Sequence, residues 1–353
     1  MISLNSNTLK VAGVVTFYMS AALVMVFVNK AVLDKAPELP LLFLFNQLLI
    51  AVVLLRVAAA SSKHVEIPRY DLSVAKKLVP VVTVNIVGLV FNTLCLRGVE
   101  ASFFQIARGM QLPLTIFISS LNTRSTPSPR TVGAAIIVTL GFFLGVAPSS
   151  SIPITASPSI LSLFYGLLSS LFIAIHAVLI KSSLPHCNNS TIKLAWWTNA
   201  GSAVLLLPFI VLNGELRLVY EMIQRGNHEL HIFGWGSLVT GVFGFLLCVA
   251  GLLSIKVTSP VTHMFSSAAR SVIQTLLGVL IFHDLLTINR GASIFVILCG
   301  TMYFTWVKSL EQQPQPRQPV DLESVGRTGR NTEPKTDLDV VWEVDSEGNE
   351  IKK

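Results

Sequence analysis

Ten long apolar stretches follow one another along this chain, and a chain built that way has few folds open to it. About 20 mostly apolar residues in a helix, rising 1.5 Å each, cross the ~30 Å hydrocarbon core of a bilayer. Every backbone N–H and C=O inside lipid must bond within its own segment or sheet, so windows of this length read as spanning helices. They run from Leu9 to Leu33, Leu41 to Ala60, Leu78 to Leu96, Ser102 to Leu121, Val132 to Val146, Ile160 to Ile180, Leu194 to Leu212, Trp235 to Leu253, Val261 to Phe282 and Gly291 to Lys308. The fifth is short and the ninth polar, which puts the expected count between nine and eleven. With 52% hydrophobic and 13% charged residues among 353, and a mean hydropathy of +0.66, the composition excludes an ordinary water-soluble domain.

Orientation follows from the short loops, because cytoplasmic loops carry the excess of Lys and Arg. The second connection holds Arg56, Lys63, Arg69, Lys76 and Lys77, whereas the one from Val146 to Ile160 has no charge. Placing the former in the cytosol, with an even number of helices, places both chain ends there too. The loops bearing Arg124 with Arg130 and Lys181 with Lys193 fall on the same side, and the seventh connection, which holds Arg217, Arg225, Glu215, Glu221 and Glu229, falls on the other. The overlapping sequons at Asn188 and Asn189 then lie in the cytosol and are expected to stay unglycosylated.

Cys95, Cys187, Cys248 and Cys299 show no C-x-x-C spacing and read as small hydrophobes rather than a disulfide or metal framework. The first ten residues carry one Lys and run into a helix too long for a cleaved signal, so that helix is expected to be retained. After Lys308 the composition turns to Gln, Pro, Glu, Asp and Gly, which predicts two domains: a membrane body over 1–308 and a disordered acidic cytosolic tail over 309–353. The tail from Glu311 onward holds ten acids against six bases, so the membrane body is more basic than the whole chain's net charge of +7.

Charges at membrane depth are costly and mark function by default. Lys30 lies near the end of the first helix, Arg108 one to two turns into the fourth, and Arg270 near the middle of the ninth. No window holds a central Asp or Glu; Glu100, Glu215 and Asp284 stand at helix ends, where a solvated carboxylate needs no partner. Basic groups without buried acids argue against a proton- or sodium-coupled carrier and for a cavity that takes phosphates.

In the ninth window, Ser259, His263, Ser266, Arg270 and Gln274 or Thr275 share one face at 3.6 residues per turn. Such a stripe must face protein or a cavity, and Ser267, Ala268, Ala269 and Ser271 allow close approach. A hydroxyl-rich helix contact is the plainer reading, but a contact rarely calls for an arginine, and the ligand cavity is favoured. Pro260 fits a helix start.

The segment Thr258-Ser259-Pro260-Val261-Thr262-His263, with Ser266, Ala269, Arg270, Gln274 and Thr275, resembles the ninth helix of Golgi GDP-fucose transporters in the drug/metabolite transporter superfamily. Val28-Asn29-Lys30, Phe91-Asn92-Thr93, Ala107-Arg108-Gly109, Leu140 to Val146, Asn213-Gly214-Glu215-Leu216 and Tyr303 to Val307 match that family in order, over about residues 9 to 308. The resemblance implies an all-α membrane protein of about ten helices in two inverted five-helix repeats around a central site. It implies that guanine is read by a Phe-Tyr-Asn-Asn motif on the seventh helix and the sugar end near a Gly-Ala-Leu-Asn-Lys type motif on the ninth. Those positions read Trp196-Trp197-Thr198-Asn199 and Ser267-Ala268-Ala269-Arg270 here. Thr198 replaces an Asn and offers one hydroxyl where an amide offered donor and acceptor, which leaves another base open. Arg270 replaces a Lys and keeps the charge while permitting a bidentate grip on phosphate. For Trp196 and Trp197 an interfacial aromatic belt competes with base stacking.

The implied substrate-binding set is Lys30, Asn92, Arg108, Trp197, Thr198, Asn199, Thr262, His263, Ser266, Ala269, Arg270 and Gln274, with no metal and no cofactor. The implied activity is exchange of cytosolic GDP-fucose for lumenal GMP across the Golgi membrane, with Lys30, Arg108 and Arg270 repelling one another in the empty site. GDP-mannose, a UDP-sugar or a phosphate ester are the rival cargoes, the endoplasmic reticulum the rival organelle, and a non-transporting scaffold the rival class. The expected partners are the nucleotide sugar, the monophosphate and the bilayer, with a homodimer as an open option and no nucleic acid. A membrane enzyme would need a carboxylate pair, a metal motif or a nucleophile with a base at depth, and the seven histidines show no such spacing.

Overall fold

The computed structural model describes residues 6–62, 65–147, 159–224, 228–257, 260–311, 342–344 and 350–352, with side chains described over 13–247 and 269–311 of these. The body is helical: α1 (Ser6–Lys35), α2 (Pro40–Ser61), α3 (Leu72–Gly98), α4 (Phe103–Ala107), α5 (Gln111–Thr123), α6 (Pro129–Val146), α7 (Ile160–Ser183), α8 (Thr191–Leu212), α9 (Glu215–Gln224), α10 (His228–Val257), α11 (Pro260–Phe282) and α12 (Ile288–Glu311). Among the described residues eight helical segments are long and apolar enough to cross a bilayer: α1, α2, α3, α6, α7, α8, α10 and α12. Many of their large apolar side chains face outward, among them Leu140, Phe143, Phe209, Val211 and Phe295. On a water-soluble protein that much exposed hydrocarbon would drive aggregation; in lipid it is the solvent-facing surface.

Local sequence starts these helices in the usual ways. Ser128, Ser159 and Ser190 accept from backbone N–H groups three residues on, and Asp71 accepts from Ser73 N at 2.8 Å, so the orphan donors of α6, α7, α8 and α3 are satisfied. Pro40 and Pro129 sit in first turns, where the missing N–H leaves nothing unpaired. The expected fourth span, Ser102 to Leu121, is broken into α4 and α5. Pro113 explains the break: it has no N–H for the Gly109 carbonyl four residues back, and its ring would clash with that carbonyl. Arg108 and Gly109 therefore turn, Gly109 N donating to Ile106 O at 2.8 Å, and Pro113 falls in the first turn of α5. The expected ninth span is present as α11, whose part over Ala269–Phe282 is apolar but short.

α6 packs along α12, α3 along α7 and α8, α1 along α10 and α11, α2 along α10 and α8, and α5 along α7. The α6–α12 contact rests on small residues: a Cβ on Gly145 would strike Ser293 Oγ, and one on Gly300 would lie 2.6 Å from Val138 Cγ2. One core cluster gathers Val32, Leu33, Leu39, Phe43, Leu96, Phe103 and Ile106 at one end of the bundle, and another gathers Leu78, Val81, Leu194, Trp196 and Trp197 towards the other.

The seventh connection holds a helix, α9, whose Leu218, Val219 and Met222 pack against the first cluster while Leu216, Tyr220 and Ile223 face outward. The apolar spacing of three and four residues there was a helix signal that the charges masked. In the tail, where no regular structure was expected, β1 (Trp342–Val344) pairs antiparallel with β2 (Glu350–Lys352). Trp342 and Val344 are strong strand formers.

Candidate functional site

A cavity of about 910 Å³ runs between α1, α2, α3, α7, α8 and α10. It reaches Ala58 near the end of α2, Val65 in the following loop and Thr191 in the first turn of α8, and it extends inward as far as Leu44, Gln47 and Thr240. This volume lies at the upper end of the range for small-molecule pockets, and the walls are largely aliphatic with a few placed polar groups. Gln47 Nε2 donates to Asn29 Oδ1 at 2.9 Å and Thr240 Oγ1 at 3.0 Å, and Asn85 Nδ2 donates to Ser202 Oγ at 3.2 Å. Thr198 Oγ1 and Asn199 Nδ2 both donate to Ala195 O, at 3.1 and 2.8 Å. His176 lines the same cavity from α7, and its Nε2 is enclosed with no hydrogen-bond partner.

The opposite end of the bundle is closed by ion pairs and capping carboxylates. Glu215, fully buried, accepts from Leu41 N at 3.2 Å and Leu42 N at 2.6 Å, so a residue of α9 caps α2; Asn213 Nδ2 donates to the same carboxylate at 2.9 Å. Asp284 accepts from Ser102 N at 2.7 Å at the entry to α4. Arg290, 2% exposed, pairs with Glu100, donates to Leu285 O at 2.6 Å and lies 5.0 Å from the Phe103 ring centre. Lys30 Nζ pairs with Asp34 at 2.8 Å and donates to Leu96 O at 3.3 Å, and Arg97 Nη1 donates to Pro37 O at 3.0 Å. Burial pushes the Glu215 carboxyl above the ordinary carboxylate range, against the pull of the Leu42, Asn213 and Leu41 hydrogen bonds. Burial likewise raises Glu100, although Arg290 opposes it. The expectation that Glu100, Glu215 and Asp284 are merely solvated is therefore overturned: each is the acceptor that a helix start or a buried cation needs.

The predicted site residues fall into several places. Thr198 and Asn199 line the cavity; Trp197 does not, and packs edge-on against Trp196 at 5.1 Å and beside Tyr70 at 5.9 Å in the second core cluster. It serves neither as an outward aromatic belt nor as a cavity wall. Asn92 Oδ1 accepts from Ser169 Oγ at 3.5 Å across α3 and α7. Arg108 and Arg270 stand close enough to repel, at the α4–α5 break and on α11, outside the cavity lining. Arg108 donates to Gln111 Oε1 at 3.3 Å and lies 5.4 Å from the Phe104 ring centre, and its Nε is buried without a partner. Gln274 accepts from Gln105 Nε2 at 2.6 Å and donates to Ala101 O at 3.1 Å, so it clamps α11 to the start of α4. Ala269, a turn before it, is exposed. Lys30 is near enough to Cys95 to share its field with Arg108, but Asp34 neutralises it, so the expected trio of repelling cations is reduced to two. Thr262, His263 and Ser266 lie outside the residues whose side chains are described. Sequence reasoning missed Asp34, one turn past Lys30, and His176, a lone histidine on an apolar face.

Residues 9–305 match the family described as the Triose-phosphate Transporter family. The chain belongs to that family. Curated relatives include GDP-fucose transporter 1 of Dictyostelium discoideum, 28% identical over 87% of this chain and 83% of that one, and GDP-fucose transporter 1 of Mus musculus, 29% identical over 89% and 87%. An uncharacterized transporter of Schizosaccharomyces pombe is 32% identical over 83% of this chain and 73% of its own. The family assignment agrees with the all-helical, lipid-facing body.

Proposed function

We propose that this protein is an antiporter that carries GDP-fucose from the cytosol into the Golgi lumen in exchange for GMP. The observation that carries the reading is a cavity of about 910 Å³ in a lipid-facing bundle whose opposite end is closed by ion pairs, with Arg108 at the α4–α5 break near Arg270 on α11. Two like charges held near each other at membrane depth favour an anionic cargo. A GDP-sugar carries about −2 and a monophosphate about −1.5 to −2 near neutral pH, so one basic site serves both legs of the exchange with little net charge moved. The names of the relatives supply the sugar and the base.

Ten spans follow if α4 with α5 counts as one and α11 as another, with α9 lying across the bundle end. Packing supports two inverted five-helix repeats. Exchanging each of the first five spans for its partner five places later turns the α1–α10 contact into α7–α3, α2–α10 into α8–α3 and α5–α7 into α11–α1, and all six contacts occur. The basic loops support a cytosolic cavity mouth and cytosolic termini.

The test uses full-length protein in liposomes preloaded with GMP and offered labelled GDP-fucose, GDP-mannose and UDP-galactose. The expected outcome is uptake of GDP-fucose that requires internal GMP, with Arg270→Ala lowering it at least tenfold at unchanged protein yield. Uptake of a UDP-sugar driven by UMP would assign a different base, and uptake of none would favour a scaffold.

A further inference from the structure

His176 is the cavity's unused polar group. It sits seven residues before the end of α7, and Asn199 sits eight residues after the start of α8, with the 3-10 turn Leu184–Cys187 between them. At 1.5 Å per residue both lie about 10–12 Å below that turn, at one level of the cavity they jointly line. Their hydrogen-bonding characters differ. The single hydroxyl hydrogen of Thr198 points at Ala195 O, and the Asn199 amide nitrogen gives one of its two hydrogens to the same carbonyl, so α8 offers a ligand Asn199 Oδ1, one Asn199 N–H and the Thr198 lone pairs. Deeper in, Gln47 Nε2 is directed at Asn29 and Thr240, and the Thr240 hydroxyl at Gly236 O. His176 Nε2 is enclosed and has no partner, an unfavourable state for a buried polar atom. A group held that way is matched when the cavity is filled.

The wall therefore has Asn199 Oδ1 and Thr198 Oγ1 as acceptors on α8 and, in the tautomer protonated at Nε2, His176 as a donor on α7. The Watson–Crick edge of guanine is the complement: one acceptor, O6, beside two donors, N1–H and the 2-amino group. Uracil presents the reverse, two carbonyls flanking one N–H, and fits poorly. We propose that His176 is a nucleobase contact, its Nε2–H donating to guanine O6 while N1–H and the amino group face Asn199 Oδ1 and Thr198 Oγ1. The assignment rests on the exchange of guanine nucleotides proposed above and identifies a residue on α7 that reads the base.

The experiment measures binding of GMP, its 6-thio analogue, IMP and UMP to purified full-length protein, for the wild type, His176→Leu and His176→Gln, with melting temperatures taken alongside. The 6-thio analogue keeps both donors of the edge and replaces the O6 acceptor by sulfur. The wild type is expected to prefer GMP over 6-thio-GMP by about three- to tenfold, the size of one neutral hydrogen bond. His176→Leu should bind the two alike, His176→Gln should restore the preference through its amide donor, and the penalty for IMP, which lacks the amino group, should be the same in all three. A His176→Leu protein that melts like the wild type and keeps the full preference for GMP overturns the contact and leaves the exchanger intact. A wild type that prefers UMP, or binds no nucleotide, overturns both.

Discussion

The two ends of the helical body are built from opposite materials. At the closed end the described connections are fastened by buried or half-buried charges: Glu215 on the start of α2, Asp284 on the start of α4, Arg290 with Glu100, and Lys30 with Asp34. At the mouth the corresponding connection, from α2 to α3, is fastened to α8 by Lys193 and Glu66 alone among the described ion pairs, 2.8 Å apart with Glu66 73% exposed. The placement of the two acids is parallel. Glu215 follows α8 and holds the first turn of α2; Glu66 follows α2 and holds the first turn of α8. The difference is burial, and burial decides what such a contact contributes: paired groups excluded from water are expensive to separate, and the same pair in water is nearly free to open. A carrier caught in this state has one tight end and one loose end, as alternation requires.

The largest break in that comparison is Arg290→Ala. The guanidinium is 3% exposed, and its removal leaves Glu100 facing an apolar core with no counter-charge. A loss of about 3–5 kcal/mol is expected, seen as a fall in melting temperature in detergent large enough to depopulate the folded protein. A melting curve like the wild type's would show that the closed end does not depend on the pair.

Glu215→Gln is the next largest. An amide still accepts one backbone hydrogen bond but loses the charge-assisted pair to Leu41 and Leu42, a change of about 1–3 kcal/mol. Its pH dependence has a definite sign. Burial raises the Glu215 carboxyl in the folded state, so the wild type gains stability relative to the variant below the unfolded carboxylate range and loses it as pH climbs through the raised value. The difference in melting temperature between wild type and Glu215→Gln should therefore shrink with rising pH across that interval. A difference that grows instead would mean that the hydrogen bonds outweigh desolvation and hold the carboxylate ionised.

How much of this was readable beforehand follows from what each residue depends on. Spanning helices are a matter of length and apolarity, so their windows stand within a few residues of the sequence reading, and the one that broke did so at Pro113, a local signal. The closed end was unreadable. Glu100, Glu215 and Asp284 are 190, 174 and 182 residues from the groups they engage, and one sequence carries no pattern for contacts that distant. Their positions at helix ends suited solvation as well as capping. The cavity was readable in part: Thr198 and Asn199 face it, but Trp197, one residue earlier, turns to the core, because neighbours on a helix point about 100° apart. His176 had no spacing to announce it, since its meaning lies in which side chains stand across from it.

The smallest expected effect is the most informative about alternation. Glu66→Gln should leave the melting temperature nearly unchanged, because the pair it removes is open to water on the acid's side and screened by salt. Lys193 pulls the Glu66 carboxyl below the ordinary carboxylate range, a shift fully exposed to solvent and worth little while the mouth stays open. If the carrier reorients by closing this end, Glu66 would come to play the part that Glu215 plays now, and its removal would slow the return step without moving the melting temperature. Exchange rates with saturating GMP inside the vesicles, compared between wild type and Glu66→Gln at low and high salt, separate the cases. A slower, salt-insensitive exchange at unchanged stability marks a latch buried during turnover. Unchanged exchange marks an ornament of the open state, and the parallel with Glu215 would then be one of position only.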